Sequence, residues 1–365
     1  MAINKNPRRN TTIKDIALEA GVSIATVSKA LNEGKSGMAE KTREKILETS
    51  RRLNYFPNLQ ARGLVKKRPD FIGMIIPQTS ELAFSLPSYS EMLKGIGKKT
   101  NESGQNLVFS FAERGSYVRL YHQSLVAGII VMASRIGDPG IEEAYKMKVP
   151  LVLIPGDPTH QGIPSVDVDN IGGAFQAVDY LAGRLGHRRI AFLNGAGDSK
   201  YSSERLVGYR RAFKKYHLPY QGDLVLESDF TQQGGYAGMK TFLSMKPRPT
   251  AVLMINDFSA MGALRAAKEM ACRVPEDVAI VGFGDVPFAS MTAPPLTTVR
   301  EPFQRVGQEA VEMLLKIIRG QRLSRKHLVL PVELVIRESA ESPRTPEPDK
   351  NGDPPDSRNK VGREY

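Results

Sequence analysis

The chain has 365 residues, 41% of them hydrophobic and 25% charged, with a formal net charge of +12; this is ordinary for soluble globular domains, and the length suits two or three of them. The longest apolar runs, Leu125 to Ala133 and Val149 to Ile154, fall well short of the roughly 20 residues that span a bilayer. Cys272 is the single cysteine, and no apolar signal-peptide core follows the basic N-terminus. These features exclude an internal disulfide and leave the cytoplasm, with no membrane contact, as the expected compartment.

The charge is uneven. Met1 to Arg68 hold 15 Lys and Arg against 6 Asp and Glu, whereas the remaining 297 residues hold 36 against 33. A basic head on a near-neutral body fits either a solvated tail or contact with phosphates. Five segments follow from composition: a basic N-terminus (1–10), a helical head (11–57), a basic connector (58–69), a large region (70–339), and a Pro-rich segment (340–365) too poor in apolar residues to bury a core.

In chain order, Thr12 is a candidate N-cap with Asp15 at capping-box spacing. Ile13, Ile16, Ala17 and Ala20 share one helical face. Gly21 ends this helix, Val22 fills the turn, and Ser23 caps a second helix to about Leu31, with Val27 and Leu31 inward. Ile24, Ala25, Ser28 and Lys29 then face outward. A third helix, Glu40 to Leu53, adds Ile46 and Leu53 to the small core. Two helices joined by a tight Gly-containing turn form a unit whose second helix enters the major groove of double-stranded DNA. A plain helical hairpin explains the apolar face but not exposed Ile24 and Ala25 beside so much positive charge.

The ordered run Thr12-Ile13-Lys14-Asp15-Ile16-Ala17, Ala20-Gly21-Val22-Ser23, Thr26-Val27-Ser28, Leu31-Asn32, Lys41-Thr42-Arg43-Glu44 and Leu53-Asn54-Tyr55-Phe56-Pro57-Asn58 resembles the head of the LacI/GalR family of bacterial repressors. The resemblance implies that Ile24, Ala25 and Lys29 read base edges, and that Thr12, Ser23, Thr26, Ser28, Asn32 and Tyr55 mostly position the DNA backbone. Lys29 can donate to guanine; Ile24 and Ala25 offer only apolar contact. Ala39 stands where the family commonly has a serine cap, a loss on the order of 1 kcal/mol. Asn58 to Leu64 resembles the family's hinge helix, with Asn58 and Ala61 at the DNA and Leu64 as the minor-groove wedge. Gly63 disfavours that helix by about 1 kcal/mol. A plain basic linker is the alternative.

In the large region, strands are expected at Phe71 to Ile76, Leu107 to Phe111, Gly128 to Met132, Leu151 to Ile154, Arg189 to Leu193, Ala251 to Ile255 and Ala279 to Gly282. Helical stretches between them include Tyr89 to Glu102, Asn170 to Leu185, Ser203 to Tyr216, Gly234 to Leu243 and Phe258 to Met270. This alternation predicts an α/β fold of two doubly wound parallel sheets, with ligands at the carboxyl ends of the strands. No Walker loop or HExxH occurs and the five histidines do not cluster. Gly195-Ala196-Gly197 and Gly282-Phe283-Gly284 are weak phosphate signals. No enzyme, cofactor or metal is expected.

The resemblance continues through Val166 to Asn170, Leu185 to Ala191, Arg205 with Gly208-Tyr209, Asn256-Asp257 and Pro294 to Arg300. It implies a two-lobed body like that of periplasmic sugar-binding proteins, and hence an allosteric regulator, most simply a repressor, controlled by a sugar, sugar acid or sugar phosphate. An activator, a corepressor-dependent repressor and a solute-binding protein are the alternatives. The carried-over ligand residues are Arg205, Phe230, Asn256 and Asp169; Phe84 is a candidate in the first lobe. Gly284 takes the place of a common acidic residue, so Arg205 is expected to lack local acid and to favour an anionic effector, unless Asp285 turns inward. A homodimer is expected, since two heads are needed for a palindromic site, and Ala340 to Tyr365 has no leucine for a tetramer-forming coil.

Overall fold

The computed structural model describes residues 11–32, 38–55, 69–111 and 117–341. The hinge candidates Asn58, Ala61 and Leu64, and the side chain of Asn32, lie outside the described residues.

The head consists of α1 (Ile13–Ala20), α2 (Ile24–Asn32) and α3 (Glu40–Arg52). Each boundary has a local cause. Asp15 Oδ2 accepts from the Thr12 amide (2.8 Å) and hydroxyl (2.7 Å), holding the chain at the start of α1. Gly21 closes the helix at φ 66°, a left-handed conformation that costs glycine little. Ser23 Oγ accepts from the Thr26 amide at 3.1 Å, capping α2. As the sequence suggested, Ala39 gives α3 no side-chain cap. Ile16, Ala17, Ala20, Val27, Ala30 and Ile46 form the core, sealed by Ile13, Val22, Leu31, Met38, Leu53 and Tyr55.

The body has two lobes. In chain order its elements are β1 (Phe71–Ile76), α4 (Ser80–Ser85), α5 (Pro87–Glu102), β2 (Asn106–Phe111), α6 (Arg119–His122), β3 (Ile129–Met132), α7 (Pro139–Lys146), β4 (Leu151–Ile154) and β5 (Ser165–Val168). There follow α8 (Asn170–Asp179), β6 (Ile190–Asn194), α9 (Lys200–Lys215), β7 (Val225–Glu227), α10 (Gln232–Ser244), β8 (Ala251–Met254), α11 (Asp257–Glu269), β9 (Ala279–Gly284), β10 (Thr297–Arg300), α12 (Phe303–Ile318), β11 (His327–Leu330) and β12 (Glu333–Val335).

The first sheet has strand order β11-β5-β4-β3-β1-β2 and the second β12-β10-β9-β8-β6-β7. All pairings are parallel except β10 with β12. The central strands are buried on both faces, which is why they read as unbroken apolar runs. In the first lobe Met74, Ile130 and Val152 face Val311 and Leu314 of α12, while Ile75, Val131 and Leu153 face Ile141 and Ala144 of α7. In the second, Phe192, Leu253 and Val281 meet α8 and α9, while Ala191, Val252 and Ile280 meet α10 and α11.

The chain changes lobe three times: from β5 to α8, from β10 to α12, and from β11 to β12. Strands β5, β7, β10, β11 and β12 are additions to the sequence expectation; they are short, and several alternate with polar residues. Ala340, assigned from sequence to the C-terminal tail, is instead fully buried, and its carbonyl accepts from Tyr180 Oη at 2.8 Å.

Candidate functional site

The outer face of α2 carries Ile24, 46% exposed, with exposed Ala25 and Lys29 beside half-buried Ser28. An isoleucine left in water on a helix whose other face is fully packed has no role in the head's core. Thr26 and Ser23 are joined through their hydroxyls (2.8 Å) at the N-terminus of the same helix. Thr12 is exposed at the N-terminus of α1 and Tyr55 is half-buried after α3. Ile24 and Ala25 thus stand at the end of α2 where backbone N–H groups also favour phosphate, and Lys29 extends the exposed side into the helix's last turn.

The second site is a cavity of about 550 Å³ between the two lobes. Its walls come from the carboxyl ends of strands in both sheets, as a doubly wound fold requires. Gln78, Leu82, Leu86, Tyr89 and Met92 follow β1; Ala133, Ser134 and Arg135 follow β3. Ser199, Tyr201 and Arg205 follow β6, Glu227 to Phe230 end β7, Asn256 ends β8, and Phe283, Glu301 and Phe303 complete the floor.

Arg205 is 4% exposed and held on every side. Its Nε donates to Asn170 Oδ1 (2.9 Å), Nη1 to the Ile255 carbonyl and Nη2 to Glu301 Oε1 (2.7 Å). The guanidinium lies 3.5 Å from the centroid of the Phe283 ring. Burial pushes the Glu301 carboxyl above its ordinary range, with the Arg205 charge opposing that shift. Asn170 passes the network on to Glu204 (3.0 Å), Glu204 to Lys200 (2.7 Å), and Lys200 across the lobe boundary to Asp167 (3.0 Å).

Asn256 caps α11. Its Oδ1 accepts from the Ser259 amide (2.7 Å) and its Nδ2 donates to the Phe230 carbonyl (3.0 Å). That bond holds Phe230 at φ 67°, turned into the cavity. Gly195 makes room for the ring: a Cβ there would lie 2.2 Å from Phe230 Cζ. Burial raises the Tyr89 and Tyr201 phenols, so both stay neutral donors and acceptors. At the mouth, Arg135 pairs with Asp198 (2.6 Å) while the Ile136 amide donates to the Asp198 carbonyl (2.9 Å), a clasp from one lobe to the other.

The structure therefore places Arg205, Phe230 and Asn256 on the cavity wall, and three other expected ligand residues off it. Asp169 is exposed and caps α8 through the Gly172 amide (2.7 Å). Asp285 is held by Arg300 and Arg337, each at 2.6 Å, and does not turn inward. Phe84 is 71% exposed and packs against Phe111; Gln78, Leu82 and Leu86 from the same segment line the cavity instead. Nor does Arg205 lack local acid, as expected from Gly284: Glu301 balances it at 2.7 Å, which removes the reason to expect an anionic effector. Glu301 follows β10, a strand not read from sequence; had it been, the residue after its carboxyl end would have been an obvious candidate.

Residues 12–58 match the model of bacterial regulatory proteins of the lacI family, and residues 178–340 match that of a periplasmic binding protein-like domain. Catabolite control protein A of Priestia megaterium is 33% identical over 336 residues, covering 90% of this chain and 99% of its own. The HTH-type transcriptional regulator CelR of Thermobifida fusca is 34% identical over 345 residues, covering 91% and 99%. Among solved structures, a lac repressor dimer bound to operator and the anti-inducer ONPF superposes with a TM-score of 0.82 at 30% identity, covering 92% of this chain and 100% of that one. A CelR–cellobiose complex gives 0.69 at 32% identity, covering 91% and 100%.

Proposed function

The chain belongs to the LacI family of bacterial regulatory proteins and is a DNA-binding transcription regulator rather than an enzyme, and from that premise we propose that it is a repressor whose operator affinity is set by an uncharged carbohydrate bound between the lobes. The observation that carries the ligand class is the Arg205–Glu301 pair at 2.7 Å. It cancels the cavity's deepest charge. Arg135 is likewise paired, whereas Glu227, exposed on the cavity wall, receives no donor from the protein among the described residues. What remains is a set of neutral donors and acceptors among aromatic rings (Tyr89, Tyr201, Asn256 and Phe230), with acceptor carboxylates at the edge. Such a lining suits the hydroxyl edges and apolar faces of a sugar.

The relative crystallised with cellobiose supports a carbohydrate, and the lac repressor dimer on its operator supports a homodimer placing one head on each half-site. In this reading residues 11–57 are the DNA-binding head, 58–69 the hinge, and the sensor runs from 70 through the buried Ala340, with the tail after it. Ile24, Ala25 and Lys29 meet base edges, Thr12, Ser23, Thr26, Ser28, Asn32 and Tyr55 position the backbone, and Asn58, Ala61 and Leu64 act in the minor groove. The protein works in the cytoplasm, on the nucleoid.

Gel-shift titration on the DNA upstream of its own gene, with a panel of neutral sugars and their acids, tests this. A specific shift released by a neutral sugar is expected. A shift that only strengthens with ligand would make it corepressor-dependent, and no specific shift would refute the proposal.

A further inference from the structure

Glu301 sits where an ordinary pocket carboxylate would be expected only to cancel Arg205, yet its geometry leaves more. Its Oε1 accepts from Arg205 at 2.7 Å, while its backbone amide donates to the Gly284 carbonyl at 3.1 Å and fixes the strand end. Among the described residues no protein group donates to Oε2. The side chain is 8% exposed, and that exposure is to the cavity. Arg205, for its part, uses Nε, Nη1 and Nη2 once each on protein acceptors, which occupies three of its five N–H donors. Both residues line the cavity, so this neutral pair leaves a carboxylate oxygen and two guanidinium N–H groups without protein partners among the described residues.

We propose that Glu301 is the residue that sets the charge selectivity of this cavity, accepting a ligand hydroxyl and excluding carboxylated sugars. This rests on the carbohydrate reading and deepens it. With Glu301 ionised, a ligand carboxylate brought to Arg205 meets a second anion in a poorly solvated site, and like charges there repel strongly. With glutamine at 301, the shape remains but Arg205 is left uncompensated, and an uncompensated buried cation favours an anionic partner. At the Arg205 end of the cavity, with Glu227 at its edge unchanged, the side chain at 301 thus decides between a neutral sugar and its acid.

The test is calorimetry on the full chain with matched probes: glucose with glucuronate, cellobiose with cellobionate, and acetate as a minimal anion. Wild type should bind the neutral member of a pair at least about tenfold tighter, the size expected for one charge-assisted hydrogen bond. Glu301→Gln should reverse that order and gain acetate binding, whereas Glu301→Asp should keep the wild-type order. Tighter binding of the acid by wild type overturns the proposal, and this arm needs no variant to fold. A folded Glu301→Gln protein that keeps the wild-type order, or is silent toward every acid including acetate, also overturns it. If no sugar binds wild type but Glu301→Gln gains acid and acetate binding, the carbohydrate reading falls while the role of Glu301 in charge selection stands.

Discussion

Replacing Arg205 by methionine should be among the most damaging single changes in the sensor, and its size can be worked from the contacts. The guanidinium is 4% exposed and donates to Asn170, the Ile255 carbonyl and Glu301. Methionine keeps much of the volume and the contact with Phe283, so the cavity penalty is small. What is lost is the partner of a buried carboxylate. Removing one member of a buried pair costs about 3–5 kcal/mol, and a domain of this size loses roughly 2–4 °C of melting temperature per kcal/mol. The midpoint in differential scanning calorimetry should therefore fall by about 6–20 °C. The deficit should shrink in acid. Without Arg205 the folded Glu301 holds its proton more tightly than the unfolded one, so stability is lost as pH rises. Arg205→Met with Glu301→Leu should recover much of the loss, because no charge is then left buried. A midpoint within about 2 °C of wild type, or a double variant no better than the single, would refute the assignment of this pair as a structural unit.

Lys29→Ala should weaken specific operator binding by about 1–3 kcal/mol in gel shifts and leave sugar calorimetry unchanged; an unaltered shift would remove Lys29 from the reading face. Arg135→Ala opens the clasp to Asp198; both side chains are well exposed, so stability should change by less than about 1 kcal/mol. Ligand dissociation in stopped flow should nevertheless quicken, and an unchanged rate would show that the Arg135–Asp198 pair does not retain ligand. Asp257 is fully buried and pushed up to about 6 by desolvation, against bonds from Thr298 and the Val286 amide. The folded state then binds the proton more tightly, so this group's contribution is full below its ordinary value and declines as pH rises toward 6. The decline is on the order of 3 kcal/mol. Asp257→Asn should flatten that part of the urea-midpoint profile; an unchanged slope would assign it to other groups, Glu301 first.

The head was legible in the sequence because its determinants are local. Thr12 with Asp15, Gly21, Ser23 and the spacing of Ile16, Ala20 and Val27 fix helix ends and faces within a few residues. The central strands were legible for a related reason: burial on both faces makes them uniformly apolar. Of the five strands that went unread, β5, β10 and β12 have sequences SVDV, TTVR and ELV, too short and too polar to stand out. They flank the lobe crossings; β10 delivers Glu301 to the cavity, and β5 leads into Asn170, buried behind it on Arg205 Nε. The misplacement of Asp285 has the same origin. Whether that carboxylate turns toward the cavity or toward Arg300 and Arg337 depends on a neighbouring strand and on a segment about fifty residues away, not on its own sequence window.

The polar character of those crossings follows from the burial argument that fixes Arg205. A chain passing between two lobes must leave one apolar core and enter another, and at the boundary it cannot be covered by either. Here the boundary is filled by Asp167, Lys200, Glu204, Asn170, Arg205 and Glu301, each bonded to the next. Buried charges tolerate such a place only in complete sets, since one unpaired member costs more than the whole network returns. A ligand that takes a bond from Arg205 or Glu301 therefore acts on groups whose partners reach back to β5 in the other lobe. Rotation of one lobe against the other must keep Lys200 on Asp167 or leave Lys200 to Glu204 and Asp167 to the Gly156 amide and the Ser165 hydroxyl. Bridged and unbridged forms of this boundary would be discrete alternatives of the kind a ligand can bias to change the spacing of two DNA-reading heads.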